Sequence, residues 1–397
     1  MPVDADDPAC DDAGVIRPAL FVMLAAACGA PPSSRPVEPT PPPAKPLVAK
    51  SDWVTSPTEP YRGKQDDLYM VSPTTGFYGN GAGKIFRTTD GGATWTKVLE
   101  QPGTFVRAIG FLDERRGFAG NIGPDSFPGV TDETLLYRTD DGGATWKPVA
   151  LPDAAGARGV CAIDILAIDT VNSGQRLHRE IVHVGGRVNG PASLFASPDG
   201  GASWQRLGLP ANVAMILDVK FLDASTGFVF AGTDADAVKS HGLIIKTTDG
   251  GRTWKTVYES QRPYELMWKG SCPSRQVCFA SLQNYSAQAA ADPAAGAVAM
   301  PKRFVVKTVD GGETWRELPV VDDPKMQEFG IGFVDDQHGW LGAVPTGFET
   351  TDGGATWKPV DTMPRATNKL RIVRDGARAH VWAIGVDVRH LELEPAR

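Results

Sequence analysis

The sequence predicts an all-β fold, a seven-bladed β-propeller over residues 51–397 that carries a repeated Asp-Gly-Gly turn. Three observations predict it: one eight-residue pattern occurs six times, a short β-rich segment precedes most copies, and glycine (44) and proline (32) are abundant in the 397 residues. Many turns and few long helices are typical of such a composition. With 42% hydrophobic residues, the chain can bury a large core.

The repeated pattern reads Ser/Thr-x-Asp-Gly-Gly-x-Ser/Thr-Trp. Its copies follow one another at intervals of about 40 to 60 residues, which is the length of one four-stranded propeller blade. The aspartate and tryptophan of the six copies are Asp90 and Trp95, Asp141 and Trp146, Asp199 and Trp204, Asp249 and Trp254, Asp310 and Trp315, and Asp352 and Trp357.

Each unit is predicted to run strand, turn, Gly-aromatic strand, loop, strand, Asp-Gly-Gly turn, and a last strand opened by tryptophan. Segments such as KIFRT and GLIIKT precede the turns, and phrases such as SPTTGFYGNG and LDERRGFAGN lie further upstream. The third unit lacks the Gly-aromatic phrase, so it departs from the repeat.

The chemistry of the turn indicates a structural role. An aspartate side chain can accept hydrogen bonds from the backbone N–H groups that follow it, which fixes the hairpin. Two glycines permit positive φ without steric cost, and the tryptophan offers a large apolar face to cover the blade. We therefore predict that the six aspartates are neither general acids nor metal ligands.

The two ends of the folded region are predicted to share the seventh blade. The segment over residues 368–394 offers about three strands and no Asp-Gly-Gly turn, whereas residues 51–57, SDWVTSP, form a single strand. We expect Trp53 to lie in the same sheet as residues 368–394. This composite blade would close the ring and remove exposed sheet edges.

These turns resemble the Asp-box, or bacterial neuraminidase repeat, Ser/Thr-x-Asp-x-Gly-x-x-Trp. Together with the Gly-aromatic phrases, they make the chain most similar to bacterial propellers related to the photosystem II assembly factor. The resemblance covers residues 51–397 and implies the propeller fold. It leaves the function open among sialidases, other glycosidases, sortilin-type receptors and non-enzymatic assembly factors.

The N-terminal region is predicted to direct export. Residues 15–29, VIRPALFVMLAAACG, combine an arginine, a short apolar run and small residues before Cys28. This layout is typical of a secretory signal and is too short to span a membrane, and its end resembles the lipobox of bacterial lipoproteins. We predict a leader over residues 1–28, of which 1–14 are a misassigned start, with a lipid at Cys28. A buried apolar helix is the alternative.

Residues 29–50 are rich in proline and predict a disordered tether between the anchor and the propeller. Such a protein would reside in the bacterial periplasm or at the cell surface, where a disulfide can form. Cys272 and Cys278 flank a predicted hairpin and form either a disulfide or two unpaired thiols. The membrane is contacted only through the lipid.

The charge and the motifs exclude several classes of function. A net charge of −7 without a basic stripe argues against nucleic-acid binding. No CxxC, HxH or HExxH spacing is present, so no metal site is predicted, and no motif indicates a cofactor.

The predicted function is a monomeric binding or assembly scaffold that engages a protein or a glycan through its central face. The alternative is a sialidase-like or other glycoside hydrolase. Resemblance to sialidases would require an Arg-Ile-Pro element, which is absent. Other glycosidases need two carboxylates that face each other across a cleft, so a deep central pocket with two convergent carboxylates would favour the enzyme.

Candidate binding residues follow from the loop geometry of a propeller. The segments that lead into each blade, and the loops between second and third strands, open on one face, where ligand sites gather. Residues 61–67, YRGKQDD, carry two cations and two carboxylates at the first such segment. The alternative for these charges is salt bridges at the seam of the ring. The predicted binding residues are Arg62, Lys64, Asp66, Asp67, Arg107 and Arg158, with Trp268 and with Asn80, Asn121 and Asn284 near loops between second and third strands.

Overall fold

The computed structural model describes residues 45–63, 65–172, 175–291, 302–323 and 325–396. The predicted leader with Cys28, the tether up to residue 44, and Lys64 lie outside these residues. The described strands form seven antiparallel sheets. None of the described helices is long and apolar enough to cross a membrane.

Most strands of the N-terminal half have six residues or fewer, and two are longer. The strands are β1 (Leu47–Ala49), β2 (Val54–Ser56), β3 (Gln65–Met70), β4 (Gly76–Asn80), β5 (Lys84–Thr88), β6 (Thr96–Glu100), β7 (Val106–Phe111), β8 (Gly117–Asn121), β9 (Leu136–Thr139), β10 (Lys147–Pro148), β11 (Ala162–Asn172), β12 (Gln175–Gly186), β13 (Ser193–Ser197) and β14 (Gln205–Arg206).

The C-terminal half continues the pattern and adds a short helix. Its elements are β15 (Met215–Phe221), β16 (Gly227–Gly232), β17 (Gly242–Thr247), β18 (Lys255–Glu259), β19 (Glu265–Ser271), β20 (Cys278–Asn284), α1 (Ser286–Ala290), β21 (Arg303–Thr308), β22 (Arg316–Val321), β23 (Gln327–Phe333), β24 (Gly339–Val344), β25 (Gly347–Thr350), β26 (Lys358–Val360), β27 (Lys369–Asp375), β28 (Arg378–Ile384) and β29 (Val388–Pro395).

Six of the sheets are four-stranded meanders in which consecutive strands are neighbours. In chain order, the first sheet holds β3 to β6, and the sixth holds β23 to β26. The first strand of each sheet, called its inner strand, packs against the inner strand of the next sheet. The inner strands are β3, β7, β11, β15, β19, β23 and β27, and β27 contacts β3.

The seventh sheet joins the two ends of the described chain. It contains β27, β28 and β29, and both β1 and β2 pair with β29, Val54 opposite His390. Trp53 is buried edge-on against Trp340, with ring centroids 5.9 Å apart. Leu47, which the sequence assigns to the tether, is buried in the same apolar cluster. The boundary predicted at residue 51 is therefore too late.

The Asp-Gly-Gly turns have the hydrogen bonds that their chemistry predicts. In the first turn, Asp90 Oδ1 accepts hydrogen bonds from the Thr94 N–H at 2.9 Å and from the Thr88 hydroxyl at 2.7 Å. Gly91 and Gly92 have φ of 72° and 92°. Hydrogen bonds from Thr94 lower the pKa of Asp90 to about 2. The same bonds to the aspartate recur at Asp141, Asp199, Asp249, Asp310 and Asp352.

Each tryptophan of these turns lies edge-on against a buried aromatic ring. Trp95 contacts Tyr78, with ring centroids 4.8 Å apart and planes at 78°. Such contacts bury a large apolar face and add a favourable ring geometry. The other pairs are Trp146 with Phe111, Trp204 with Phe118, Trp254 with Phe221, Trp315 with Phe228, and Trp357 with Phe333.

Cys272 and Cys278 form a disulfide at the turn between β19 and β20. Of the two alternatives that the sequence leaves open, the structure therefore has the bonded one. Cys161, the other cysteine in the described part of the chain, is a buried free thiol.

Candidate functional site

A cavity of about 560 Å³, called the central cavity, opens where the inner strands begin. Its lining residues come from the segments that lead into the sheets and from loops between second and third strands. Polar groups in the lining include Asp66, Arg107, Gln283 and Gln327. Its aromatic residues are Tyr61, Phe105, Phe127, Trp268, Tyr285 and Phe329.

Irregularities of the inner strands place several of these side chains. The pairing of the inner strand with the second strand skips one residue at Asp66 in β3, at Arg107 in β7 and at Trp268 in β19. A β-bulge of this kind redirects a side chain that regular alternation would place elsewhere. The three bulge residues therefore line the cavity from equivalent positions of three sheets.

A hydrogen-bonded network forms the base of the central cavity. Arg107 Nη1 donates to both carboxylate oxygens of Asp66 at 2.8 Å. The Arg107 guanidinium also lies 5.3 Å from the centre of the Trp268 ring. Trp268 Nε1 donates to Asn368 Oδ1 at 3.0 Å, and Asn368 Nδ2 donates to the Asp66 carbonyl at 2.9 Å. Four sheets are thus tied together at the cavity base.

Arg107 is the buried cation of this base. Burial opposes its charge, but the contacts around it, with the Asp66 carboxylate foremost, leave the pKa of Arg107 raised. Burial raises the pKa of Tyr285 to about 12, and burial together with the Asp66 charge raises the pKa of Tyr61. At neutral pH both phenols therefore carry their protons and can donate hydrogen bonds.

Three of the ten predicted binding residues, Asp66, Arg107 and Trp268, line the central cavity. Arg62 and Arg158 are exposed and do not belong to its lining. Lys64 lies outside the described residues.

The sequence predicts that Asp67 binds the ligand, but the structure places it at a sheet junction rather than in the cavity. The carboxylate is fully buried. Its Oδ2 accepts hydrogen bonds from Lys369 Nζ at 2.9 Å and from the Ile109 N–H at 2.7 Å, and Oδ1 accepts one from Arg371 at 3.2 Å. Asp67 thus ties the first sheet to the second and the seventh, the salt-bridge role that was the alternative for this segment.

Asn80, Asn121 and Asn284 are also structural rather than part of the cavity lining. Each is buried at the end of the second strand of its sheet. Asn121 Oδ1 accepts a hydrogen bond from the Phe105 N–H at 3.0 Å, and Asn284 Oδ1 accepts one from the Ser286 N–H at 2.9 Å. Asn80 Oδ1 accepts a hydrogen bond from the Ala82 N–H in the loop that follows it. Asn121 and Asn284 thus fix segments that carry aromatic lining residues, among them Phe105 and Tyr285.

The chemistry of the central cavity is that of a binding surface with stacking faces and amide groups. Among the described residues that line it, Asp66 is the single carboxylate, and Arg107 occupies both of its oxygens. No group of three or more His, Cys, Asp or Glu side chains in the described part of the chain is placed to hold a metal ion.

No protein-family model matches the chain. Its sequence is similar to xyloglucanase Xgh74A of Acetivibrio thermocellus, with 26% identity over 216 residues, 46% of this chain and 23% of the enzyme. It is also similar to the photosystem II assembly lipoprotein Ycf48 of Synechococcus sp. strain CC9902, with 24% identity over 249 residues, 62% of this chain and 58% of that protein. The chain spans less than two thirds of the length of either relative.

Among solved structures, Ycf48 bound to a D1 peptide matches with a TM-score of 0.57 at 15% identity, covering 90% of this chain and 100% of that one. The fold is a β-propeller. The all-β propeller class predicted from the repeated turn is confirmed, and so is the resemblance to propellers related to the photosystem II assembly factor. The count of seven blades and the closure of the ring stay predictions.

Proposed function

We propose that the protein is a scaffold that binds a segment of another protein in the central cavity. The lining carries this proposal: six aromatic side chains surround a paired Asp66 and Arg107 on a base that four sheets hold in place. Pockets that combine aromatic walls with a few fixed polar groups are typical of binding sites. The similar Ycf48 structure was solved with a bound peptide, which supports a polypeptide ligand.

The alternative function is a glycoside hydrolase, because the similar Xgh74A is a xyloglucanase. Glycoside hydrolysis requires two carboxylates on opposite sides of the bond that breaks. The central cavity offers Asp66, whose oxygens both accept hydrogen bonds from Arg107. A glycan remains the second candidate ligand, because aromatic faces also pack against sugar rings. We favour binding without hydrolysis.

We further infer that the seven sheets are the seven blades of a closed ring. Contacts between the first and seventh sheets support this inference: Asn368 and Lys369 donate hydrogen bonds to Asp66 and Asp67. The pairing of β1 and β2 with β29 covers the outer edge of the seventh sheet. An experimental structure is expected to show the same pairing. If β1 and β2 lay detached from β29, the inferred closure would be wrong.

We also propose that the protein is exported and that a lipid at Cys28 anchors it, as a monomer, in the bacterial periplasm or at the cell surface. The apolar run before Cys28 supports this, as does the similarity to a Ycf48 lipoprotein. Cys28→Ser should abolish metabolic labelling by palmitate. Labelling that persists in this variant would contradict the assignment.

The binding proposal is tested by two matched surface variants. Phe127 is 47% exposed at the cavity, whereas Val309 is 56% exposed within an Asp-Gly-Gly turn. Phe127→Glu should lose the partner protein that the wild type captures from membranes of the source organism, and Val309→Glu should retain it. Both variants should keep the wild-type melting temperature, because both side chains lie at the surface.

Two outcomes would contradict the proposal. Capture of the same proteins in equal amounts by Phe127→Glu and Val309→Glu would place the partner elsewhere. If the wild type released reducing sugar from xyloglucan and an Asp66→Asn variant did not, the protein would be a hydrolase instead.

A further inference from the structure

Among the described residues, three junctions between neighbouring sheets carry the same pair of side chains near an Asp-Gly-Gly turn. An aromatic residue on the second strand lies opposite a cation on the third strand, as Phe118 lies opposite Arg138. The cation covers the ring and donates a hydrogen bond to a glycine carbonyl in the turn of the next sheet. These sets are Phe77, Arg87 and Gly142; Phe118, Arg138 and Gly200; and Phe279, Lys307 and Gly353.

The junction between the third and fourth sheets lacks this pair. His183 takes the position of the aromatic residue and Ala196 that of the cation. The His183 ring stacks on Phe221 of the fourth sheet with centroids 3.5 Å apart and planes at 1°. This is the geometry of Phe77 on Phe111, at 3.7 Å and 7°. Packing of the ring is thus preserved, and only the cation is missing.

A cavity of about 590 Å³ lies at this junction and is lined by both His183 and Ala196. We call it the third-junction pocket. Ala196 is too short to reach the turn of the fourth sheet, where Gly250 also lines the pocket. The pocket therefore occupies the place that an arginine or lysine fills at the junctions described above.

The polar groups around the third-junction pocket are mostly donors. Arg179, Arg206 and Arg252 line it together with one carboxylate, Asp249, whose oxygens accept hydrogen bonds from its own turn. Arg206 also donates to two backbone carbonyls of the loop before β11. His183 is 3% exposed, and its Nδ1 has no hydrogen-bond partner among the described residues. This nitrogen is covered by protein, so the charged donors of the lining are the three arginines.

We propose that the third-junction pocket binds a small oxyanion such as phosphate, sulfate or a short carboxylate. Guanidinium groups recognise such anions through charge and paired donors, and Arg179, Arg206 and Arg252 provide three of them. The pocket shares no lining residue with the central cavity, so the proposal does not depend on the proposed function.

Two variants each remove one guanidinium group of the lining. The first is Arg179→Ala. Arg252→Ala gives the fourth turn the alanine that stands at this position in the first turn, Ala93. Arg378→Ala removes an exposed arginine from the seventh sheet and controls for the loss of one positive charge.

Inorganic phosphate is titrated into each protein by isothermal titration calorimetry at constant ionic strength, with chloride as the background anion. The wild type and Arg378→Ala should bind with the same Kd. Arg179→Ala and Arg252→Ala should each weaken binding about tenfold, the effect of one hydrogen bond to a charged group. Sulfate and acetate, titrated in the same way, distinguish among the oxyanions.

Melting temperatures in chloride show whether each variant is folded. If Arg179→Ala does not fold, Arg252→Ala decides the question alone, because its turn occurs naturally in this chain. The absence of saturable binding of phosphate, sulfate and acetate to the wild type would overturn the proposal. Equal phosphate affinity in the wild type, Arg378→Ala and every folded pocket variant would also overturn it.

Discussion

Two junctions have the same backbone pairing but are filled by different side chains. One lies between the second and third sheets, and the other between the third and fourth. In the former, Phe118 and Arg138 fill the space, and Arg138 donates to a glycine carbonyl of the third sheet. In the latter, His183 and Ala196 leave a pocket of about 590 Å³. Two residue differences distinguish a packed junction from a cavity. In a repeat fold, departures from the repeat therefore mark candidate sites better than the repeated residues do.

The largest expected difference between the two junctions is in core packing. Phe118→Ala should lower the free energy of unfolding by about 3–5 kcal/mol, the usual loss for a fully buried phenylalanine. His183→Ala should lower it by less, because the His183 ring already borders a cavity. Urea denaturation measures both values. Equal losses would show that the two junctions are equally well packed.

The next largest expected effect is a pH dependence of stability that comes from His183, at the junction between the third and fourth sheets. Burial, opposed by the Asp164 charge, lowers the pKa of His183 from 6.5 to about 4. Between these values the unfolded chain binds a proton that the folded protein does not. The contribution of His183 to the free energy of unfolding is therefore complete above pH 6.5. It falls by up to about 3 kcal/mol as the pH drops through 4.

His183→Phe should flatten this part of the stability profile when unfolding is measured from pH 4 to 7. His390, whose pKa burial also lowers to about 4, is present in both proteins, so its contribution cancels in the difference. If the wild type and His183→Phe lost stability equally over this range, His183 would not be buried in its neutral form.

A smaller effect is expected when the filled junction is opened. Arg138→Ala removes the guanidinium that lies 5.7 Å from the centre of the Phe118 ring and donates to Gly200. The loss should be about 1–2 kcal/mol in the free energy of unfolding. A change no larger than that of the exposed Arg378→Ala, measured in the same urea series, would show that the repeated cation does not stabilise the junction.

The smallest effect is expected when the open junction is filled. Ala196→Arg in an Arg252→Ala background gives the third junction the residues of the second and removes one repelling charge. The double variant should gain at most about 1 kcal/mol over Arg252→Ala alone. A clear loss of stability in urea would indicate that the third junction cannot accept the cation found at the others.

The fold was predictable from the sequence because the signal is local. Aspartate, two glycines and tryptophan act within one turn, and the structure shows each of them in the contacts that their chemistry suggests. The sequence assigns residues 47–49 to the tether, because a three-residue strand is too short to show an alternating pattern. Their place is set by pairing with β29, almost 350 residues away.

The candidate site was only partly predictable. Asp66 and Asp67 are adjacent, yet Asp66 lines the central cavity and Asp67 is buried between sheets. The bulge at Asp66 arises from pairing with β4, and a shift of register by one residue reverses which side chain faces which way. Likewise Phe105 and Phe127 belong to the second sheet and Phe329 to the sixth, and only the tertiary arrangement brings them together.

Site-specific photo-crosslinking tests most directly whether the central cavity, rather than the repeated turns, engages a partner protein. The photoreactive residue p-benzoylphenylalanine replaces Phe127 in one variant and Val309 in the other, and both are irradiated in cells of the source organism. We predict a discrete protein adduct from position 127 and none from position 309. Adducts from position 309 alone, or equal adducts from both positions, would contradict the assignment of the central cavity as the binding site.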